Sequence, residues 1–114
     1  MTIRELVQNE NITALLEVED DALVSGGYTS DLLSDVMAHA REGDLLITIQ
    51  AHPNAVAVAS LAGVCAILVC GNRPVAEDML EAARREQIAV LSTPLNQFQA
   101  SCLTGRLLGL DHAG

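Results

Sequence analysis

The chain has 114 residues and a formal net charge of −9, fifteen acids against six bases, and every base is an arginine. Half of it is hydrophobic but only 2 % is aromatic, so it offers neither a basic footprint for phosphate backbones nor a stacking platform for bases, and nucleic-acid binding is excluded. Without lysine it has no P-loop lysine, no Schiff base and no kinase-type lysine.

The first element is predicted over Thr2 to Asn9, where Thr2-Ile3-Arg4-Glu5 has the pattern of a capping box. Ile12 to Leu16 reads as a brief strand, Glu17 to Asp21 as an acidic surface turn, and Ala22 to Ser25 as a second short apolar stretch. Gly26-Gly27 permits positive φ or close backbone approach, and reads as a turn that redirects the chain in preference to a phosphate-cradling nest, which Asp20, Asp21 and Asp31 would oppose. Thr29 or Ser30 is placed to cap a helix reaching about Arg41, with Leu32, Leu33, Val36, Met37 and Ala40 inward, His39 on the exposed side and Gly43 as the stop.

From Leu45 the pattern repeats. Strands are predicted over Leu45 to Gln50, Cys65 to Cys70 and Ile88 to Ser92, and helices over Pro53 to Leu61, Pro74 to Glu86 and Leu95 to Leu108. The strands are continuous apolar runs, as expected of strands buried on both faces. In the helix at Pro74 the acids Glu77, Asp78 and Glu81 precede Arg84 and Arg85, the order the helix dipole favours, with Val75, Met79, Ala82 and Ala83 available to a sheet. Three strand-then-helix units with short connections describe a right-handed parallel α/β sheet in one domain over residues 1–110, followed by a tail at 111–114 that holds His112.

The segment Leu45 to Asn72 carries no formal charge. A membrane span needs about 20 consecutive apolar residues, whereas Gln50, His52, Pro53 and Asn54 interrupt this one, so it reads as a buried βαβ core. Cys65, Cys70 and Cys102 form an odd set without a Cys-x-x-Cys pair, which fits reduced structural thiols in the cytoplasm. Cys65 and Cys70, five positions apart on a strand, are expected on opposite faces.

Ligands of open α/β sheets bind beyond the carboxyl ends of the strands. The residues predicted there are Gln50, His52 and Asn54 after the first regular strand, Asn72 and Arg73 after the second, and Ser92 and Thr93 after the third. They suit a small anion or a nucleotide phosphate, or serve as helix caps and loop residues. Ser92 or Thr93 with His52 would be the candidate catalytic pair, but none of the three loops holds a carboxylate to orient the imidazole. No catalytic residue, no metal and no cofactor is assigned.

The stretch Asp21 to Met37, together with Thr48 to Asn54 and Leu91 to Pro94, resembles the DRTGG domain family. Ala22 stands where the family's name has Arg and Ser25 where it has Thr, while Gly26 and Gly27 are kept; Ser25, Gly26 and Gly27 are the expected motif turn. The resemblance implies a three-layer α/β/α sandwich with a mostly parallel sheet, similar to the N-terminal domain of HPr kinase/phosphorylase. It also implies a regulatory rather than a catalytic role. The expected partners are a second copy in a homodimer, with a small anionic ligand or a partner enzyme as further candidates, and neither nucleic acid nor a membrane. A self-associating regulatory module is the first functional expectation, and a sensor of an anion or nucleotide at the strand-end loops is the alternative.

Overall fold

A computed structural model describes residues 1–19 and 22–110. The tail expected at 111–114, His112 and the last two residues of the acidic turn lie outside these. Helix α1 (Ile3–Leu6) opens with the expected capping box: Glu5 N donates to Thr2 Oγ1 at 3.2 Å and Thr2 N to Glu5 Oε1 at 3.0 Å. Then follow β1 (Thr13–Leu16), β2 (Gly26–Thr29), α2 (Leu33–His39), β3 (Asp44–Thr48), α3 (Pro53–Ala62), β4 (Ala66–Val69), α4 (Glu77–Glu86), β5 (Ala89–Ser92) and α5 (Gln97–Leu107).

The five strands form one sheet in the order β1-β5-β4-β3-β2, parallel from β2 to β5, with β1 antiparallel on the β5 edge. The mostly parallel α/β expectation therefore holds. Three crossovers of one hand, each moving one strand over in the same direction, must lay their helices on one face. Accordingly Val36 of α2, Val56 of α3 and Met79 of α4 share a core layer with Leu46, Ile67 and Val90, a row that runs straight across β3, β4 and β5. The neighbouring row, Ile47, Leu68 and Leu91, points the other way and packs with Ile3 and Leu6 of α1 and Ala100 of α5. Side chains alternate along each strand, and because both faces are covered every position of β3 and β4 is buried.

Four details depart from expectation. Gly26-Gly27 is not a turn but the start of β2, paired in parallel with Asp44 and Leu45. Neither glycine has a positive φ; those that do include Gly43 and Gly63. Gly26 is needed for close approach instead, since a Cβ there would lie 2.9 Å from Asp44 Oδ1. The second departure is α2, which ends at His39 and has Leu32 at its N-cap with no side-chain cap; Thr29 belongs to β2, and Ser30 Oγ accepts from Leu32 N at 3.2 Å. Of the apolar residues placed inward, Val36 is buried, whereas Leu32 is 65 % and Met37 42 % exposed. Third, α4 begins at Glu77 and α5 at Gln97, the latter with its own capping box between Asn96 and Gln99. Fourth, Cys65 and Cys70 border the same core layer. Both lie outside the four residues of β4, so the strand's alternation does not govern Cys65, whose Sγ turns to the Asp44 carbonyl at 3.3 Å.

Burial pushes both of these thiols up from the usual 9.0 to about 11. Below pH 9.0 they are neutral in the folded and unfolded chain alike; above it the unfolded thiols ionise first, so stability falls as pH rises from 9.0 toward about 11. Ellman titration of the native protein should find Cys102, which is exposed, reacting quickly and the other two only on unfolding. Equal rates at all three would contradict this burial.

Candidate functional site

Because β2 to β5 run parallel, their carboxyl ends meet at one edge. The loops predicted from the sequence do converge there, and a fourth, after β2, joins them. That loop supplies Asp31. Its Oδ1 accepts three hydrogen bonds: from Thr48 Oγ1 at 3.0 Å, from Ile49 N at 2.9 Å and from Gln97 Nε2 at 2.9 Å. Its backbone carbonyl accepts from Gln50 Nε2 at 2.8 Å, and Gln50 N donates to Thr48 Oγ1 at 3.1 Å. One carboxylate thus ties the ends of β2 and β3 to the start of α5. Gln50 is engaged in this network through its Nε2 and its backbone N–H. The three predicted loops hold no carboxylate, and the one at this edge comes from the fourth.

The adjacent strands β4 and β5 send their helices to opposite faces, since α4 lies with α2 and α3 while α5 crosses to α1. Such a divergence is where an open α/β sheet leaves a crevice. Here the backbone closes it: Asn72 N donates to Thr93 O at 2.9 Å and Gly71 N to Leu95 O at 2.8 Å. Asn72 reaches this position with a φ of 53°, in the left-handed region that Asn tolerates better than most residues. Thr93 is buried, its Oγ1 accepting from Leu95 N at 3.2 Å, and Ser92 is the last residue of β5, paired with Val69 and with Thr13. Both hydroxyl residues belong to the seam, and neither lines the pocket that His52 borders.

That pocket lies between the β3–α3 and β4–α4 connections. It is an open cleft of about 420 Å³ with apolar walls from Ile49, Ala51, Pro74 and Val75, and His52 and Arg73 are its basic groups. His52 is the N-cap of α3, yet its side chain makes no capping bond, and Pro53 takes the first helical position. The first turn of α3 holds no acid, whereas that of α4 holds Glu77 and Asp78, so the positive end of α4 is already complemented and that of α3 is not. Asn54 is exposed one residue beyond Pro53 and does not line the cleft. Of the seven residues predicted for the edge, the fold brings two, His52 and Arg73, to one cleft. Asp31 was missed because its signal, an acid just past a strand end, is visible only once Gly26 to Thr29 is recognised as a strand. Among the described residues, no three His, Cys, Asp or Glu side chains gather as metal ligands, and no helix is long and apolar enough to cross a membrane.

A five-stranded, mostly parallel sheet between two helical layers, its strand ends knitted by a carboxylate beside an apolar-walled cleft, defines the class as a small three-layer α/β/α domain. The chain belongs to the DRTGG domain family, whose model matches residues 29–107. The match begins at Thr29, so Ser25, Gly26 and Gly27, expected as the motif turn, precede it as well as being strand and pre-strand residues. Among solved structures the chain is similar to the CBS and DRTGG domains of the regulatory region of Clostridium perfringens pyrophosphatase, crystallised with the activator diadenosine tetraphosphate. The TM-score is 0.74 at 19 % identity, covering 97 % of this chain and 49 % of that one. The likeness is one of fold, and this chain spans about half the length of the solved one. No curated protein sequence matches the chain.

Proposed function

We propose that this domain is a regulatory module without catalytic activity of its own, and that its input is a nucleotide phosphate held in the cleft between the β3–α3 and β4–α4 loops. The observation that carries this reading is the pairing of His52 and Arg73 on an apolar-walled cleft beside the uncomplemented N-terminus of α3. Arg73 would take the phosphate, for which a guanidinium is the best-matched side chain. The apolar walls would take the base or ribose. Engagement of Thr93 in the seam between β4 and β5 supports a non-catalytic role, because it withdraws the buried hydroxyl from His52. The Clostridium perfringens regulatory region, similar in fold, was crystallised with a nucleotide activator, which is the ligand chemistry proposed here.

A thermal-shift series with diadenosine tetraphosphate, ADP and inorganic phosphate tests this. A ligand at ~100 times its Kd adds about 2.7 kcal/mol, a rise in Tm on the order of 10 °C for a domain of this size. Arg73→Ala should remove most of the rise and His52→Ala part of it. No rise, or a rise unchanged by both substitutions, would overturn the proposal.

A specific observation favours self-association as the output. Leu32 and Phe98, 65 % and 76 % exposed, directly follow Asp31 and Gln97, whose side chains are hydrogen-bonded to each other. Two large apolar side chains, each next in the chain to a member of this hydrogen-bonded pair, are thus left exposed. Covering such a pair between copies would relieve their exposure. Light scattering from micromolar to millimolar protein should show a dimer that Phe98→Asp converts to monomer; a strict monomer for the unsubstituted chain would refute it.

A further inference from the structure

A second cleft, on the other side of the domain's β2 edge, is distinct from the loop cleft in every residue. It encloses about 520 Å³ between β2 and the carboxyl end of α2, and its borders include Tyr28, His39, Arg41 and Glu42 with the backbone of Gly26 and Gly27. Its chemistry is set by one carboxylate. Tyr28 Oη donates to Asp35 Oδ2 at 2.8 Å, and His39 Nδ1 lies 3.0 Å from Asp35 Oδ1.

We propose that this cleft binds a small zwitterion of the α-amino-acid type, with its ammonium group toward Tyr28, His39 and Glu42 and its carboxylate on Arg41. The polarity follows from where the protons are. The Tyr28 hydroxyl, and after it that of Ser30, holds the Asp35 carboxyl below its usual range, so at neutral pH Asp35 is an acceptor only. The bond to His39 therefore needs the proton on Nδ1, and the tautomer with that proton alone presents Nε2 as an acceptor. Tyr28 has spent its only donor on Asp35, so the remaining capacity of its oxygen is to accept. Glu42 adds an exposed carboxylate. Three acceptors, two of them aimed by Asp35, are what an ammonium group with its three donors requires.

The remaining acid on the border, Asp44, is buried, and its Oδ2 is engaged by Arg41 N at 2.8 Å, which pins the turn that carries the Arg41 side chain. The guanidinium of Arg41 is exposed and is the one permanent cation among the described residues of this border, so it supplies the carboxylate half. Gly26 and Gly27 contribute no side chain, which brings the unpaired outer edge of β2 within reach of a ligand's own main-chain atoms. A phosphate would fit poorly, since it is an anion facing the Glu42 carboxylate and cannot supply three donors to the acceptor side.

The test is a ¹⁵N-resolved NMR titration of the full chain with L-leucine as the zwitterion, n-butylamine as the ammonium half and acetate as the carboxylate half. L-Leucine should move the amides of Gly26, Gly27 and Tyr28 and the Nε2 resonance of His39, with each half-probe at least about tenfold weaker, as expected when one charged hydrogen bond is lost. Asp35→Asn, which disorients both aimed acceptors, and Arg41→Gln should each weaken L-leucine by a similar factor. Arg41 lies on an exposed turn, so its variant keeps the test valid even if Asp35→Asn fails to fold. The proposal is overturned if L-leucine leaves these resonances unmoved, if n-butylamine binds as well as L-leucine, or if Arg41→Gln binds unchanged.

Discussion

Asp31→Ala should destabilise the domain by about 3 kcal/mol, because hydrogen bonds to a charged acceptor are worth roughly 1.5 to 3 kcal/mol and unpaired donors add a desolvation cost. The substitution removes the shared acceptor of Thr48 Oγ1, Ile49 N and Gln97 Nε2 at once. Water reaches this half-buried edge and offsets some of the loss, which is why the figure is that of one strong bond and not of three. Urea unfolding measures it, and Asp31→Asn should recover about half, since its carbonyl oxygen still accepts but without charge. A cost under about 0.5 kcal/mol, the ordinary range of a surface substitution, would show that the network contributes nothing to the fold.

Leu68→Ala is the second large effect, also about 3 kcal/mol, from lost transfer energy and the cavity left behind. Leu68 lies on β4, is 1 % exposed, and occupies the middle of the row Ile47–Leu68–Leu91 that holds α1 and α5 against the sheet. A domain of this size has ~5 to 15 kcal/mol in total, so either substitution removes a substantial share. Hydrogen exchange distinguishes them: Leu68→Ala should loosen α1 and α5 more than α3 and α4, which pack on the opposite layer.

The parallel core was legible because strands covered on both faces must be apolar throughout, and Leu45 to Ile47, Ala66 to Val69 and Ala89 to Leu91 are. Strand β2 was not legible. It is an edge strand whose residues alternate between half-buried and exposed, and its two glycines, of which Gly26 lies close against Asp44, look like punctuation when read alone. That one error carried two others with it. Thr29, one of the two residues expected to cap the helix, is a strand end, and Asp31, which would have followed that cap, instead joins the loops after β2, β3 and β5. In α2 the stripe that faces the core is Leu33, Val36 and Ala40; Leu32 and Met37 share the apolar composition but not the phase. For the site, chain order correctly predicted the common edge. It could not show that the loops after β4 and β5 close on each other through backbone bonds, because every residue has the same backbone donor and acceptor to offer.

The most direct test of the proposed function is an NMR titration of the whole chain with diadenosine tetraphosphate, read residue by residue. The reading predicts perturbations concentrated at Ile49, Ala51, His52, Val75 and Ala76, the lining of the loop cleft, and their loss in Arg73→Ala. Perturbations confined to Gly26, Gly27, Tyr28 and His39, or none at saturating ligand, would contradict it.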